Sequence, residues 1–215
     1  MLQPIIIGIT GGSASGKTYI TNLLVSKLNY KVLSISLDNF YKPYTKEQLE
    51  LIKNNTFNFD NPLLINYNKL INIINNIKQG KDIKIPIYCY KTTSIINYKF
   101  IKNIEFKVII IEGLFLFNNK ELFNLLDIKL FIDTTSEIRF KRRLERDNNI
   151  RNRDNMNLQH HLDYYINYVI PSYNKYILPN KYKADLIING NNNNSINILY
   201  NLLDSYINLK LLNKN

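Results

Sequence analysis

Residues 4–18, PIIIGITGGSASGKT, constrain the fold of this chain more than any other stretch. An apolar run of Ile5, Ile6, Ile7 and Ile9 feeds a turn of glycine and serine, and the turn feeds a helix that opens on Lys17 and Thr18. From Gly11 the spacing is G-x-x-x-x-G-K-T, the pattern of a phosphate-binding P-loop. The residue types have chemical reasons. Gly11, Gly12 and Gly16 let the backbone of the loop, with Ser13, Ala14 and Ser15, curl until its N–H groups converge on one phosphate. The helix N-terminus adds partial positive charge at the same place. Lys17 can bridge the outer phosphates, and the Thr18 hydroxyl can ligate the accompanying Mg²⁺. Short Gly/Ser turns are common, but here a strand precedes the turn and a helix follows it. The stretch implies a nucleoside-triphosphate site.

The remaining chain alternates strands and helices, which predicts a mostly parallel sheet with ligands at the carboxyl ends of its strands. Residues 17–28 read as a helix with Ile20, Leu23, Leu24 and Leu28 on one face. A β-branched strand over 31–36 follows, and Asp38 sits just past its end, beside the P-loop. Helices are predicted over 45–54 and 66–79, the second with Leu70, Ile73, Ile74 and Ile77 in register and Gly80 beyond it. Between them Phe57-Asn-Phe-Asp60-Asn-Pro62 reads as a rigid loop. Residues 83–106 alternate in part with period two and contain Pro86, which places them as strands outside the main sheet. Buried strands are predicted over 106–111, ending in Glu112-Gly113, and over 128–133. A helix starts at Ser136, and a Tyr-rich helix over 155–176 is interrupted at Pro171. The last strand covers 184–188, Asn191 to Asn194 form a polar loop, and the last helix covers 196–211.

Charge narrows the function classes. The net charge of +11 suits either nucleic acid or an enzyme that handles several phosphates. All six arginines lie between 139 and 153, while the lysines are scattered. That concentration is a local device and favours a phosphate-handling enzyme over a nucleic-acid module. The single cysteine, Cys89, rules out an internal disulfide framework. Adjacent His160 and His161 point to different helix faces with no third ligand nearby, so no metal site is expected of them. With no apolar stretch of transmembrane length and a first strand that starts almost at Met1, a soluble cytoplasmic protein without a presequence is expected.

Several motifs occur in order: GGSASGKT, DNFYK from Asp38, NFDNP from Asn58, PIY from Pro86, IEG from Ile111, RRLERD from Arg142, RNR from Arg151 and LPNKYKADLII from Leu178. In this the chain resembles the uridine/cytidine kinases of the phosphoribulokinase–uridine kinase group, from about Ile5 to about Gly190. The DNFYK and NFDNP pair is far more specific than the P-loop. The resemblance implies a single P-loop nucleoside kinase domain over 1–215. Its fold would be α/β, with a mostly parallel five-stranded sheet flanked by helices, a small β insertion over 83–106 for the acceptor and an Arg-rich helical lid over 136–153. It implies transfer of the γ-phosphate of ATP, or GTP, with Mg²⁺, to the 5′-hydroxyl of uridine or cytidine. It also implies a homo-oligomer, a tetramer by resemblance, and no nucleic-acid or membrane partner.

The resemblance assigns roles residue by residue. Asp38 matches the catalytic base, and a carboxylate there can orient the acceptor hydroxyl and take its proton. Lys17 and Arg146 complete the catalytic set. Asp60 matches a residue holding the ribose hydroxyls, and Tyr88 an aromatic contact to the nucleoside. Glu112 ends a central strand where a carboxylate can hold Mg²⁺ with Thr18. Arg143, Arg146, Arg151 and Arg153 match positions that close over nucleoside and phosphates. Three departures stand out. Where the family has Tyr-Asp-Phe and then a base-reading His, this chain has Tyr88-Cys89-Tyr90 and Thr93. Arg151-Asn152-Arg153 replaces Arg-Gly-Arg, and His161 stands where a family Gln would be. Tyr90 can still stack on a base and Thr93 can still hydrogen-bond, so both join the expected substrate residues with His161, and base selectivity stays open. A related P-loop kinase acting on another small alcohol is the alternative. A nucleotide-binding regulatory protein is a further one, although no guanine-reading N-K-x-D motif is present.

Overall fold

A computed structural model describes residues 3–102, 105–149 and 157–212. Strand β1 (Ile5–Gly11) is buried along its whole length, as an apolar strand covered on both faces must be. Around it stand β2 (Val32–Ser36), β5 (Val108–Glu112), β6 (Ile128–Asp133) and β7 (Leu186–Asn189). The sheet order is β2-β5-β1-β6-β7, and each of its four pairings is parallel. Side chains of β1 alternate between two cores, the period-two consequence of the pleat. Ile6 joins Ile35, Phe40, Leu70, Ile74 and Phe131 on one face. Ile7 and Ile9 join Ile20, Leu24, Leu130, Leu199 and Leu203 on the other. Helix α3 (Tyr67–Lys78) covers the first face, and α1 (Lys17–Lys27) with α8 (Asn193–Leu212) covers the second.

Register places the site. Glu112 pairs with Ile9 of β1 on one side and with Ser36 of β2 on the other. β2 and β5 therefore end level, β1 runs on to Gly11, and the P-loop, Asp38 and Glu112 emerge at the same edge. The P-loop is braced from behind. The Thr134 hydroxyl donates to the Ser15 carbonyl at 2.9 Å. A Cβ added at Gly190 would stand 2.4 Å from both the Ser15 carbonyl oxygen and Thr134 Oγ1, so only glycine lets β7 end this close to the loop.

The stretch over 83–106 forms an antiparallel pair outside the main sheet, β3 (Ile83–Cys89) with β4 (Ser94–Ile101). Its register shifts between Ile87 and Tyr88, where Ile87 faces Asn97 and Tyr88 faces Ile95, so that Ile96 of β4 is the extra residue. Helix α2 (Lys46–Lys53) starts on a capping box between Thr45 and Gln48, and α4 (Lys120–Leu125) on an Asn119 cap.

Boundaries differ from expectation at several elements; β7, for example, runs from Leu186 to Asn189 rather than over 184–188. β5 starts at Val108 rather than 106. α8 begins at Asn193, inside the expected polar loop, because Asn192 Oδ1 accepts the Asn194 N–H at 2.9 Å and caps the helix. The Tyr-rich segment is not interrupted at Pro171. Helix α6 (Leu158–Tyr164) passes into π-helical turns at Tyr165–Val169 and Tyr173–Ile177, with α7 (Ile170–Ser172) between them. Widening to i→i+5 bonding relieves the clash and the missing N–H that proline brings, so the chain stays helical.

Candidate active site

The P-loop has the backbone its glycines predict. Gly11 and Gly16 lie at positive φ, 150° and 106°, and the Ser15 N–H closes a turn onto the Gly12 carbonyl at 3.1 Å. Ala14 also lies at positive φ, 59°, where a side chain carries local strain, as is common at ligand-binding turns. Gly12 has a different reason: a Cβ there would meet the Arg139 guanidinium at 2.4 Å. Lys17 Nζ donates to the carbonyls of Gly11 and Gly12 at 3.1 and 2.9 Å. Burial lowers the Lys17 pKa, and the negative charges of Glu112 and Asp38 oppose that shift.

The Thr18 hydroxyl donates to Glu112 Oε1 at 3.3 Å. Burial and then the charge of Asp38 push the Glu112 carboxyl up, while Lys17 pulls it down. Among the described residues no group of three or more His, Cys, Asp or Glu side chains could cage a metal. Mg²⁺ needs no such cage, since it keeps several waters and takes one or two protein oxygens beside substrate phosphates. Thr18 and Glu112, hard oxygen donors at the mouth of the phosphate loop, fit that demand.

A cavity of about 440 Å³ opens from the P-loop. Ser13, Ala14, Gly16, Lys17 and Thr18 form one wall, and Asp38, Asp60 and Glu112 bring three carboxylates to it. The β3–β4 hairpin contributes Tyr88, Tyr90 and Thr93, and α5 (Ser136–Asn149) contributes Arg142, Arg143 and Arg146. Asp38 lies in a 3-10 turn (Leu37–Phe40) just past β2, and its Oδ2 accepts the Tyr90 hydroxyl at 2.6 Å. Asp60 is buried, yet the loop around it is turned by other side chains. Asn58 Oδ1 accepts the Asp60 N–H at 2.9 Å, and Asn61 Oδ1 accepts the Leu63 N–H at 3.0 Å. The carboxylate of Asp60 is thereby spared from turn duty and faces Arg143 at 3.8 Å.

The arginines divide by task. Arg139 is buried, donates to the Thr134 carbonyl at 3.0 Å and stacks over the Tyr173 ring at 4.0 Å. Arg143 reaches Ser13 Oγ of the P-loop at 2.9 Å, and Asp147, one helical turn on, at 3.6 Å. Burial works against the Arg143 charge, but Asp60 and Asp147 outweigh it and hold the guanidinium more firmly protonated than usual. Arg146 donates to Asp147 Oδ1 at 3.0 and 2.9 Å. This helix is therefore not a solvated basic face.

Of the expected substrate residues, His161 does not line the cavity, and Arg151 and Arg153 lie outside the described residues, as does the part of the expected lid beyond 149. Tyr41, Phe59 and Arg142 line it without having been singled out in the sequence. Tyr41 and Phe59 sit inside the DNFYK and NFDNP motifs, so their signal was present. Thr93 reaches the cavity wall, but its hydroxyl donates to the Thr92 carbonyl at 2.8 Å.

The phosphoribulokinase/uridine kinase family model matches residues 6–197 of the chain. The chain belongs to this family. It is 39% identical over 211 residues to uridine-cytidine kinase A of Dictyostelium discoideum and 38% identical over 213 residues to uridine-cytidine kinase B of the same organism. The alignments cover 97% and 99% of this chain; the chain spans 40% of the length of the first relative and 84% of the second. The solved structure of a possible uridine kinase from Bacillus stearothermophilus superposes with a TM-score of 0.59 at 16% identity, covering 87% of this chain and 89% of that one, a likeness of fold. The P-loop and the three carboxylates thus share one cavity in a chain of this family, and no described helix is long and apolar enough to cross a membrane.

Proposed function

We propose that this chain transfers the γ-phosphate of ATP to the 5′-hydroxyl of uridine and cytidine, giving UMP and CMP. One observation carries the reading: Asp38, Asp60 and Lys17 line a single cavity of a chain in this family. The acceptor 5′-oxygen attacks the γ-phosphorus, the bond from that phosphorus to the β–γ bridging oxygen breaks, and ADP leaves. The hydroxyl proton goes to the Asp38 carboxylate. Lys17, Arg143 and Arg146 offset the charge on the phosphoryl oxygens. Thr18 and Glu112 would hold Mg²⁺, which would supply further neutralisation of the phosphates. GTP fits the same phosphate loop as an alternative donor. A cytoplasmic homo-oligomer belongs to the same reading and rests on the family resemblance.

Asp60 is the ribose residue in this account, since one carboxylate can accept from both vicinal hydroxyls. The wild type is expected to prefer uridine over deoxyuridine, because the analogue leaves a buried acceptor unpaired. Asp60→Ala is expected to raise the KM for uridine and to narrow that preference, read from kcat/KM on both nucleosides. An unchanged preference would remove Asp60 from the ribose site. Discrimination between uracil and cytosine is expected to be weak, because the Thr93 hydroxyl is engaged by its own chain. The same observation supports the second reading, another small alcohol as acceptor, and turnover of non-nucleoside alcohols in the same assay separates the two.

A further inference from the structure

Two neighbouring residues of the turn that carries the proposed base are gripped by two alternate residues of the β3–β4 hairpin. Asn39 Oδ1 accepts the Tyr88 backbone N–H at 3.2 Å, and Asp38 Oδ2 accepts the Tyr90 hydroxyl at 2.6 Å. The second has the length of a charge-assisted O–H···O⁻ bond. Tyr90 is fixed in turn. Its ring meets the Tyr88 ring edge-on at 5.4 Å and 83°, and the Tyr88 hydroxyl pairs with that of Tyr44 at 3.1 Å. The hydroxyl that reaches Asp38 stands at a position where the family resemblance expects phenylalanine.

From this we infer that Tyr90 is a positioning residue for Asp38, an inference that rests on the nucleoside-kinase reading above. The terminal torsion of an aspartate is broad and two-fold, so an untethered carboxylate spends only part of its time in any one orientation. The Tyr90 phenol anchors Oδ2 and leaves Oδ1 for the acceptor hydroxyl. The bond therefore contributes to the step in which the proton moves, more than to capture of the nucleoside. Its ring bounds the acceptor cavity, and its hydroxyl orients the base.

The test compares wild type, Tyr90→Phe, Asp38→Asn and the double variant, with uridine, ATP and Mg²⁺ in steady state. Phenylalanine keeps the ring and its packing, and thermal midpoints confirm that the variants fold. Tyr90→Phe is expected to lower kcat about tenfold, the size of a hydrogen bond to a charged group, with the KM for uridine within about twofold of wild type. In the Asp38→Asn background the same change is expected to cost nothing further, because Tyr90 acts through Asp38. A Tyr90→Phe kcat equal to wild type, a loss confined to KM, or the same tenfold loss repeated on Asp38→Asn would each overturn the inference and leave the nucleoside-kinase reading standing. A wild type inert towards uridine and cytidine would overturn both.

Discussion

Asp38→Asn is expected to lower kcat on uridine by about 10²–10⁴-fold, the usual worth of a positioned general base, with ATP affinity unchanged. Asparagine keeps the shape of the side chain and an oxygen that can accept the Tyr90 hydroxyl, so the turn and the hairpin contact survive. It cannot take a proton. Asp38 stands with Lys17 and Glu112 around one cavity, at the end of a strand two places from β1 in the sheet. Steady-state ADP release gives kcat, and calorimetric titration with ATP shows whether the phosphate site is intact. A variant within a few-fold of wild type would mean that Asp38 does not receive the proton and that another group must.

Lys17→Met is the second large effect, about 10²–10³-fold in kcat by comparison with loss of one preorganised donor from a site of developing charge. In the structure Lys17 Nζ rests on the Gly11 and Gly12 carbonyls, with only 7% of the residue exposed. Methionine of similar length fills that space without a charge, so folding is expected to persist while phosphate stabilisation is lost. Burial already lowers the Lys17 pKa, and the charges of Glu112 and Asp38 help keep its proton in place. The check is turnover beside the thermal midpoint. Loss of both together would point to a structural lysine, and retention of both would remove Lys17 from the reaction.

Local signals carried much of this account. The strand-turn-helix of the P-loop, the strand that ends in Glu112 and the helix that presents Leu70, Ile73, Ile74 and Ile77 inward all follow from periodicity and glycine chemistry within a few residues. Contacts across the chain were less legible. Tyr90 and Asp38 are 52 residues apart, and the bond between them depends on where a bulged hairpin lands against a 3-10 turn. The arginine helix was legible as a cluster but not as a buried one. Its burial requires Ser13, Asp60 and Asp147 to meet Arg143 from three separate directions, although the last of these lies at the i,i+4 spacing within RRLERD. Pro171 misled because proline ordinarily stops a helix, and no local signal announced the π-helical turns on either side of it.

The most direct test of the central claim is the product itself. The wild-type protein is incubated with ATP, Mg²⁺ and uridine, and the mixture is resolved by phosphorus NMR. The account predicts ADP and uridine 5′-monophosphate in equal amounts, with cytidine behaving likewise. ATP that binds but is not consumed with either nucleoside, or ADP that forms only with a non-nucleoside alcohol, would contradict it.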